Sequence, residues 1–109
     1  MAYDEDLAER IRRSMSRRRG IAEKKMFGGI GFLLGGNLCV GVWKDSLIAR
    51  IGPEQYEDAL RQPFVGEFDI TGRAMKGWVL IAPNGIEDDD QLAEWIQRSA
   101  KFVGKLPAK

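Results

Sequence analysis

The sequence contains no histidine and only one cysteine, Cys39. Without imidazole, a histidine general base, a Ser-His-Asp triad and the commonest transition-metal ligand are all excluded. One cysteine cannot form an intramolecular disulfide, and zinc sites built from cysteine and histidine are excluded as well. Cys39 lies in an apolar run, which predicts a small buried side chain in a reducing compartment.

The chain also lacks an excess of charge and a long apolar run. Seventeen Lys and Arg against sixteen Asp and Glu give a formal net charge of +1, so no overall field attracts DNA or an anionic membrane. No apolar run approaches the roughly 20 residues that span a bilayer, and the N-terminus lacks the order of a signal peptide. These absences predict a cytoplasmic protein with no membrane partner. The 109 residues suit a single domain over 1–109.

Hydrophobic periodicity predicts a two-layer α+β fold, with helices on an antiparallel sheet of about five strands in the order α-β-β-β-α-β-β-α. Leu7, Ile11 and Met15 recur every four residues and give a first helix one apolar stripe. Tight-turn residues separate the apolar runs that follow, which indicates an antiparallel meander. The predicted elements are a helix from Asp4 to about Arg18, strands over about 26–34, 38–43 and 46–51, a helix over 53–62, strands over about 67–71 and 75–82, and a last helix capped by Asp88 to Asp90.

The glycine-rich stretch from Lys24 to Gly36 does not match a phosphate-binding loop. A Walker loop needs a lysine directly after its last glycine, and none follows here. A dinucleotide fingerprint needs G-x-G-x-x-G before a helix, whereas these glycines give G-x-G-x-x-x-G and more strand follows. We therefore predict no cofactor. The stretch instead indicates a strand with a bulge or a close backbone approach at Gly28 and Gly29, followed by a glycine hairpin turn.

The clusters of charged residues are explained more simply by structural roles than by metal binding, acid–base catalysis or nucleic-acid binding. The acids from Glu87 to Asp90 precede a helix, whose N-terminus they stabilise, and they lack the spacing of a calcium loop. No carboxylate pair shows signs of the burial that would make it a general acid or base, so we predict no catalytic residue and no metal site. The first 25 residues hold eight basic side chains against five acids. A solvated helix face explains them better than phosphate contacts do, so direct nucleic-acid binding ranks low.

The sheet is expected to carry apolar residues on the face away from the helices. If Leu38 and Val42 face the helices, then Cys39 and Trp43 face outward, and the alternation also leaves Ile48 outward. Because a face of this kind is usually covered, we hypothesise a homodimer or another protein partner. The alternative is that loops or the chain ends cover it. The predicted self-association face comprises Trp43, Ile48 and Trp78.

Three segments, in this order along the chain, carry a family resemblance. They are KKMFGGIGFLLGGNLCVGVWKDSLIARIGP from Lys24 to Pro53, FDITGRAMKGWVLI from Phe68 to Ile81, and an acid-capped helix followed by KLP. Together they resemble the N-terminal domain of the TfoX/Sxy family, regulators associated with natural competence in bacteria. The resemblance runs from about residue 3 to 107 and implies the same α+β order of elements. Full-length regulators carry a second, C-terminal helical domain, so the resemblance implies a stand-alone copy of the N-terminal domain.

The resemblance implies regulation and maps no catalytic residue onto this sequence. We predict a non-enzymatic regulatory or interaction module that acts through protein contacts, with the transcription machinery among its candidate partners. The alternative is a small anionic-ligand-binding domain, or an enzyme of unrecognised type, with a site near the hairpin where Arg73 and Lys76 would hold an anion. The candidate recognition patch comprises Met26, Phe27, Gly28, Gly29, Arg73, Met75 and Lys76.

Overall fold

The computed structural model describes residues 3–26, 28–69, 72 and 75–108. Within them the chain forms an α+β fold with three α-helices and an antiparallel sheet of six strands. The predicted class and order of elements are confirmed, with one strand more than expected. The bounds are α1 Glu5–Ser14, β1 Ile21–Met26, β2 Gly29–Leu34, β3 Asn37–Trp43, β4 Ser46–Arg50, α2 Pro53–Leu60, β5 Val65–Glu67, β6 Trp78–Ile81, a 3₁₀ turn Pro83–Gly85, and α3 Asp89–Val103.

Helix α1 is amphipathic as predicted but ends at Ser14 instead of near Arg18. Its start is capped by Asp4, whose Oδ1 accepts hydrogen bonds from two backbone N–H groups of the first turn. Near its end, both the backbone N–H and the Oγ of Ser16 donate to the carbonyl of Arg13, at 3.3 and 2.9 Å. The serine side chain competes with helical hydrogen bonding, so the helix gives way to a turn before the arginine run.

The additional strand is β1, which forms one edge of the sheet order β1-β2-β3-β4-β6-β5. Its four central residues, Ala22 to Lys25, are exposed, so it shows no apolar alternation from which a strand could be predicted. Backbone pairing with β2 holds it, from Ile21 opposite Leu34 to Met26 opposite Gly29. Lysines on such an edge discourage the addition of further strands, which gives this polar sequence a structural role.

Glycines let β2 and β3 approach each other and turn, as predicted. A Cβ on Gly29 would overlap the carbonyl oxygen of Val42 in the neighbouring strand, so this position tolerates no side chain. Gly35 and Gly36 then join the two strands with φ values of 61° and 86°. Positive φ at both central residues is what a two-residue hairpin turn of type I′ requires. The glycine-rich stretch is therefore a strand pair and its turns.

A β-bulge in β3 changes which residues face the helices. The pairing register shifts between Phe32 and Leu33 of β2, which leaves Cys39 as an extra residue in β3. Cys39 is fully buried in the core, whereas a Cβ on Gly31 would lie 2.6 Å from Cδ1 of Leu38 on the opposite face. The predicted orientation of both residues is wrong, because one extra residue shifts the alternation of the strand by one position.

Helices α1, α2 and α3 pack on the same face of the sheet, hereafter the inner face; the opposite face is the outer face. Acids start α3 as predicted: Asp88 is its N-cap, and the Asp88 N–H donates to Oε1 of Gln91 at 3.1 Å. No helix in the described ranges is long and apolar enough to cross a membrane. The core comprises Leu7 and Ile11 of α1, Tyr56 and Ala59 of α2, Leu92, Trp95 and Ile96 of α3, and strand residues including Val40, Val42, Leu47, Ala49, Val79 and Ile81.

The thiol of Cys39 is expected to be unreactive in the folded chain. Burial raises its pKa to about 12, so little thiolate is present near neutral pH. We expect a thiol reagent such as DTNB to leave the native protein unlabelled and to react as denaturant unfolds it. Absorbance of the released chromophore measures the rate, which should follow the loss of helical circular dichroism. Rapid labelling without denaturant would contradict the burial of Cys39.

Candidate functional site

The structure does not bring the two halves of the predicted recognition patch together. Met26 ends β1 and Gly29 begins β2, near the end of β3, whereas Met75 and Lys76 precede β6. The start of β6 lies at the other end of the sheet, where Trp78 pairs with Arg50, and three strands separate β1 from β6. Four strand spacings of about 4.8 Å put roughly 19 Å between them. The predicted members Phe27 and Arg73 lie outside the described residues.

Two tryptophans of the predicted self-association face lie half-buried on the outer face, each beneath a cation. Nζ of Lys44 lies 4.7 Å from the ring centroid of Trp43. Cζ of Arg50 lies 5.1 Å from the ring centroid of Trp78. Cation–π contacts of this length stabilise exposed sites by about 0.5–1 kcal/mol. They also leave the aromatic surface partly shielded from water.

Ile48, the third member of that predicted face, is on the outer face but fully buried within the chain. It lies between Gly41 of β3 and Leu80 of β6. Phe68, which follows β5, is also buried, and its ring centroid lies 6.0 Å from that of Trp78. Phe68 therefore covers part of the outer face beside Trp78, and Ile48, which is fully buried, is not itself available to a partner.

The basic cluster of the first 25 residues is partly used to hold the fold together. Nη2 of Arg10 donates to the carbonyl of Ile86 at 2.8 Å, and Nε of Arg10 pairs with Asp89 at 3.2 Å. Arg12 joins Glu9 and Glu23, each at 2.6 Å. The Arg12 hydrogen bonds lower the pKa of the Glu23 carboxyl. Six of the eight basic residues remain as exposed side chains outside these ties: Arg13, Arg17, Arg18, Arg19, Lys24 and Lys25.

A concave site of about 370 Å³ lies where α2 begins and α3 ends. We call it the basic cleft. Its apolar wall contains Ile51 and Phe102, and the lysines Lys101 and Lys105 also line it. Gly52 has a φ of 90°, and a Cβ there would lie 2.5 Å from the Phe102 ring, so the backbone lies directly against the ring. The full lining is Ile51, Gly52, Pro53, Glu54, Gln55, Lys101, Phe102, Lys105 and Leu106.

Arg50 lies beside the basic cleft and contacts two aromatic rings. Its Cζ is 5.1 Å from the ring centroid of Trp78 and 5.8 Å from that of Phe102, which is a wall of the cleft. The hairpin before β6 adjoins the same place, because the carbonyl of Gly77 accepts hydrogen bonds from the N–H groups of Ile51 and Gly52 at 2.9 and 3.1 Å. Lys76 directly precedes Gly77, whose carbonyl group supports the cleft.

Sequence reasoning missed Arg50, Lys101 and Lys105 as candidate binding residues. Lys101 and Lys105 are four residues apart, which would indicate one side of a helix, but Lys105 lies in the turn that follows the end of α3. No sequence signal marked Arg50, because the two rings that it contacts belong to Trp78 of β6 and Phe102 of α3, which are far from it in the sequence. Only the fold brings these elements to one place.

These features define the class of this protein. It is a small α+β domain with helices on one face of its sheet and aromatic side chains covered by cations on the other face. Among the described residues, no group of three or more His, Cys, Asp or Glu side chains is placed to hold a metal ion. The model of the family described as the TfoX N-terminal domain matches residues 13–103. The chain therefore belongs to the TfoX N-terminal domain family, which confirms the resemblance. Comparisons with curated proteins and with solved structures gave no match.

Proposed function

We propose that this domain is a non-enzymatic regulatory module of the cytoplasm that acts through protein contacts, first of all by pairing with a second copy. The absence of histidine and the burial of Cys39 support the non-enzymatic part. Membership of a family associated with competence regulators supports a regulatory role, with the transcription machinery among the candidate partners. The observation that carries the proposal is the apolar character of the outer face.

The outer face has six half-buried apolar side chains, while the helices of the described residues pack on the inner face. Beside these side chains, Gly31 of β2 pairs directly with Gly41 of β3. Because neither glycine has a side chain, the centre of the face is a shallow depression. Contiguous apolar surface on a sheet face is typical of an interaction site. The six side chains are Met26, Leu33, Leu38, Trp43, Trp78 and Leu80.

A second copy suits this face in size and in charge. Six strands spaced about 4.8 Å apart, with about five residues each rising about 3.3 Å, give a face of roughly 25 by 17 Å. Two such faces would bury roughly 850 Å² in total, which is the scale of a weak or transient interface. The chain has a formal net charge of +1, so two copies repel each other little. Two sheet faces that meet in this way pack about 10 Å apart, with their side chains interdigitated.

Replacing Trp43 with lysine is expected to weaken self-association while the domain stays folded. Trp43 is half-buried at the end of β3, so the change costs little in the core, but it adds a further positive charge at the proposed interface. We expect the dimer dissociation constant to rise at least about tenfold, which is about 1.4 kcal/mol. Sedimentation equilibrium over a roughly hundredfold concentration range would measure it.

Phe64→Lys is the matched control for this experiment. Phe64 is 54% exposed and lies beside Gly85 and Trp95, away from the outer face, and the substitution makes the same change of an aromatic ring to a cation. It should leave the dissociation constant of the dimer unchanged. A wild-type protein that stays monomeric over the whole range would overturn the homodimer, and equal weakening by both variants would show that the outer face is not the interface.

A further inference from the structure

We propose that the basic cleft binds a small organic anion that has a flat apolar body. This goes beyond the protein contacts proposed above, and it uses a different surface. The cleft has a volume of about 370 Å³, within the range of small-molecule sites. It also has the two chemical parts that such a ligand needs, an apolar wall and a group of cations. The lining of the cleft lies apart from the outer face, and Arg50, which also covers Trp78, is the residue that the two surfaces share.

The apolar part of the cleft is held by the backbone and cannot easily close. The Phe102 ring lies against Gly52, where a Cβ would be only 2.5 Å from the ring. The Gly77 carbonyl holds the N–H groups of Ile51 and Gly52, which fixes the chain on that side. Ile51 and Leu106 complete the wall. A planar ligand body would therefore meet a preformed aromatic and aliphatic surface, which lowers the entropic cost of binding.

Cations outnumber acids around the cleft. Lys101 and Lys105 line it and Arg50 lies against its Phe102 wall, whereas Glu54 is the acid in the lining. Two lysines against one acid give the lining a charge of +1, and Arg50 beside the Phe102 wall adds a further positive charge. Lys101 in the last turn of α3 also complements the helix dipole, but that explanation does not apply to Arg50 on the sheet.

Arg50 is the most specific of the three cations. Its Cζ lies 5.1 Å from the ring centroid of Trp78 and 5.8 Å from that of Phe102, so two aromatic rings restrict where the guanidinium can move. The guanidinium N–H donors all lie in one plane, so a side chain restricted in this way can offer two of them together to a ligand. A planar pair of donors of this kind matches the oxygens of a carboxylate or a phosphate. The two rings thus hold in advance a group that would otherwise be mobile.

Phenyl phosphate, inorganic phosphate and phenol are the probes that test the cleft. The first has both the anion and the ring, and the other two each have one of them. In proton–nitrogen correlation spectra of the labelled protein, we expect phenyl phosphate to shift the amide signals of Gly52, Gln55 and Phe102 in a saturable manner. Its affinity should be at least about tenfold higher than that of either part. Equal affinity for inorganic phosphate and phenyl phosphate would overturn the proposed apolar subsite.

Paired lysine substitutions separate the cleft from general attraction to a basic protein. Lys101→Gln with Lys105→Gln should weaken phenyl phosphate binding at least about tenfold. Lys24→Gln with Lys25→Gln makes the same change in net charge on β1 and should leave the affinity unchanged. If both pairs weaken binding equally, or if neither does, the cleft is not the site.

Arg50→Lys tests the restricted guanidinium directly. It keeps the charge but removes the planar edge, so binding should weaken several-fold. Thermal unfolding of the variant shows whether the loss comes from misfolding, because the contacts with the two rings also support the fold. Should Arg50→Lys remain folded and bind phenyl phosphate as the wild type does, Arg50 has no part in the site and the proposed role of this arginine is wrong.

Discussion

Replacing Gly29 with alanine is expected to be among the most damaging single changes in the chain, with a loss of more than about 3 kcal/mol in the free energy of unfolding. The added Cβ would overlap the Val42 carbonyl oxygen and lie 3.1 Å from the Val42 carbonyl carbon and 3.5 Å from Cα of Trp43. All three are backbone atoms of β3, which cannot rotate away as a side chain can. Relief requires β2 and β3 to separate, which breaks their ladder.

Two other glycines provide matched controls for that experiment. A Cβ on Gly28 meets nothing within 4 Å, but its φ of 77° disfavours alanine, so Gly28→Ala should cost about 1–2 kcal/mol. Gly66 has open space and no positive φ, so Gly66→Ala should be neutral or stabilise by about 0.4–1 kcal/mol through the unfolded state. Urea unfolding followed by tryptophan fluorescence measures the series. A Gly29→Ala variant as stable as Gly66→Ala would show that the strands are not so close.

The helices and turns that are specified by residues within a short segment were predictable from the sequence. The acids before α3, the apolar stripe of α1 and the two glycines of the β2–β3 turn each act within a few residues, so local patterns suffice. β1 was not predictable in this way. Its residues are mostly exposed and charged, and they form a strand because β2 offers them backbone partners. Tertiary pairing here overrides local preference.

The bulge shows why face assignments are harder than strand assignments. Nothing in the letters LCVGV marks Cys39 as an extra residue, yet that one residue reverses the side on which Leu38 lies. Alternation predicts orientation only as long as the register is unbroken. The same limit affects the candidate sites. Ile48 was placed on the correct face, but its complete burial depends on the neighbouring strands, where it lies between Gly41 and Leu80.

Replacing Ile48 with glutamate is expected to prevent folding at neutral pH. The side chain is fully buried, so the variant loses the burial of an isoleucine and places an unpaired carboxylate among apolar groups. Each of these effects costs several kcal/mol, and their sum approaches the whole stability of a typical small domain. Circular dichroism at neutral pH should show a largely unfolded chain. Trp43→Lys, on the same face, should remain folded under the same conditions.

The pH dependence of the Ile48→Glu variant distinguishes charge burial from a simple steric fault. Burial raises the pKa of the introduced carboxyl above its unfolded value of about 4.3, because the neutral acid is easier to bury. Folding is therefore favoured below that value and is lost as pH rises through the higher folded pKa. Ile48→Val, which removes one methylene and adds no charge, should cost about 0.5–1.5 kcal/mol at every pH. If Ile48→Glu were folded at neutral pH with an ordinary carboxyl pKa, water would reach the outer face at this point, and the face would be more open than its packing around Ile48 indicates.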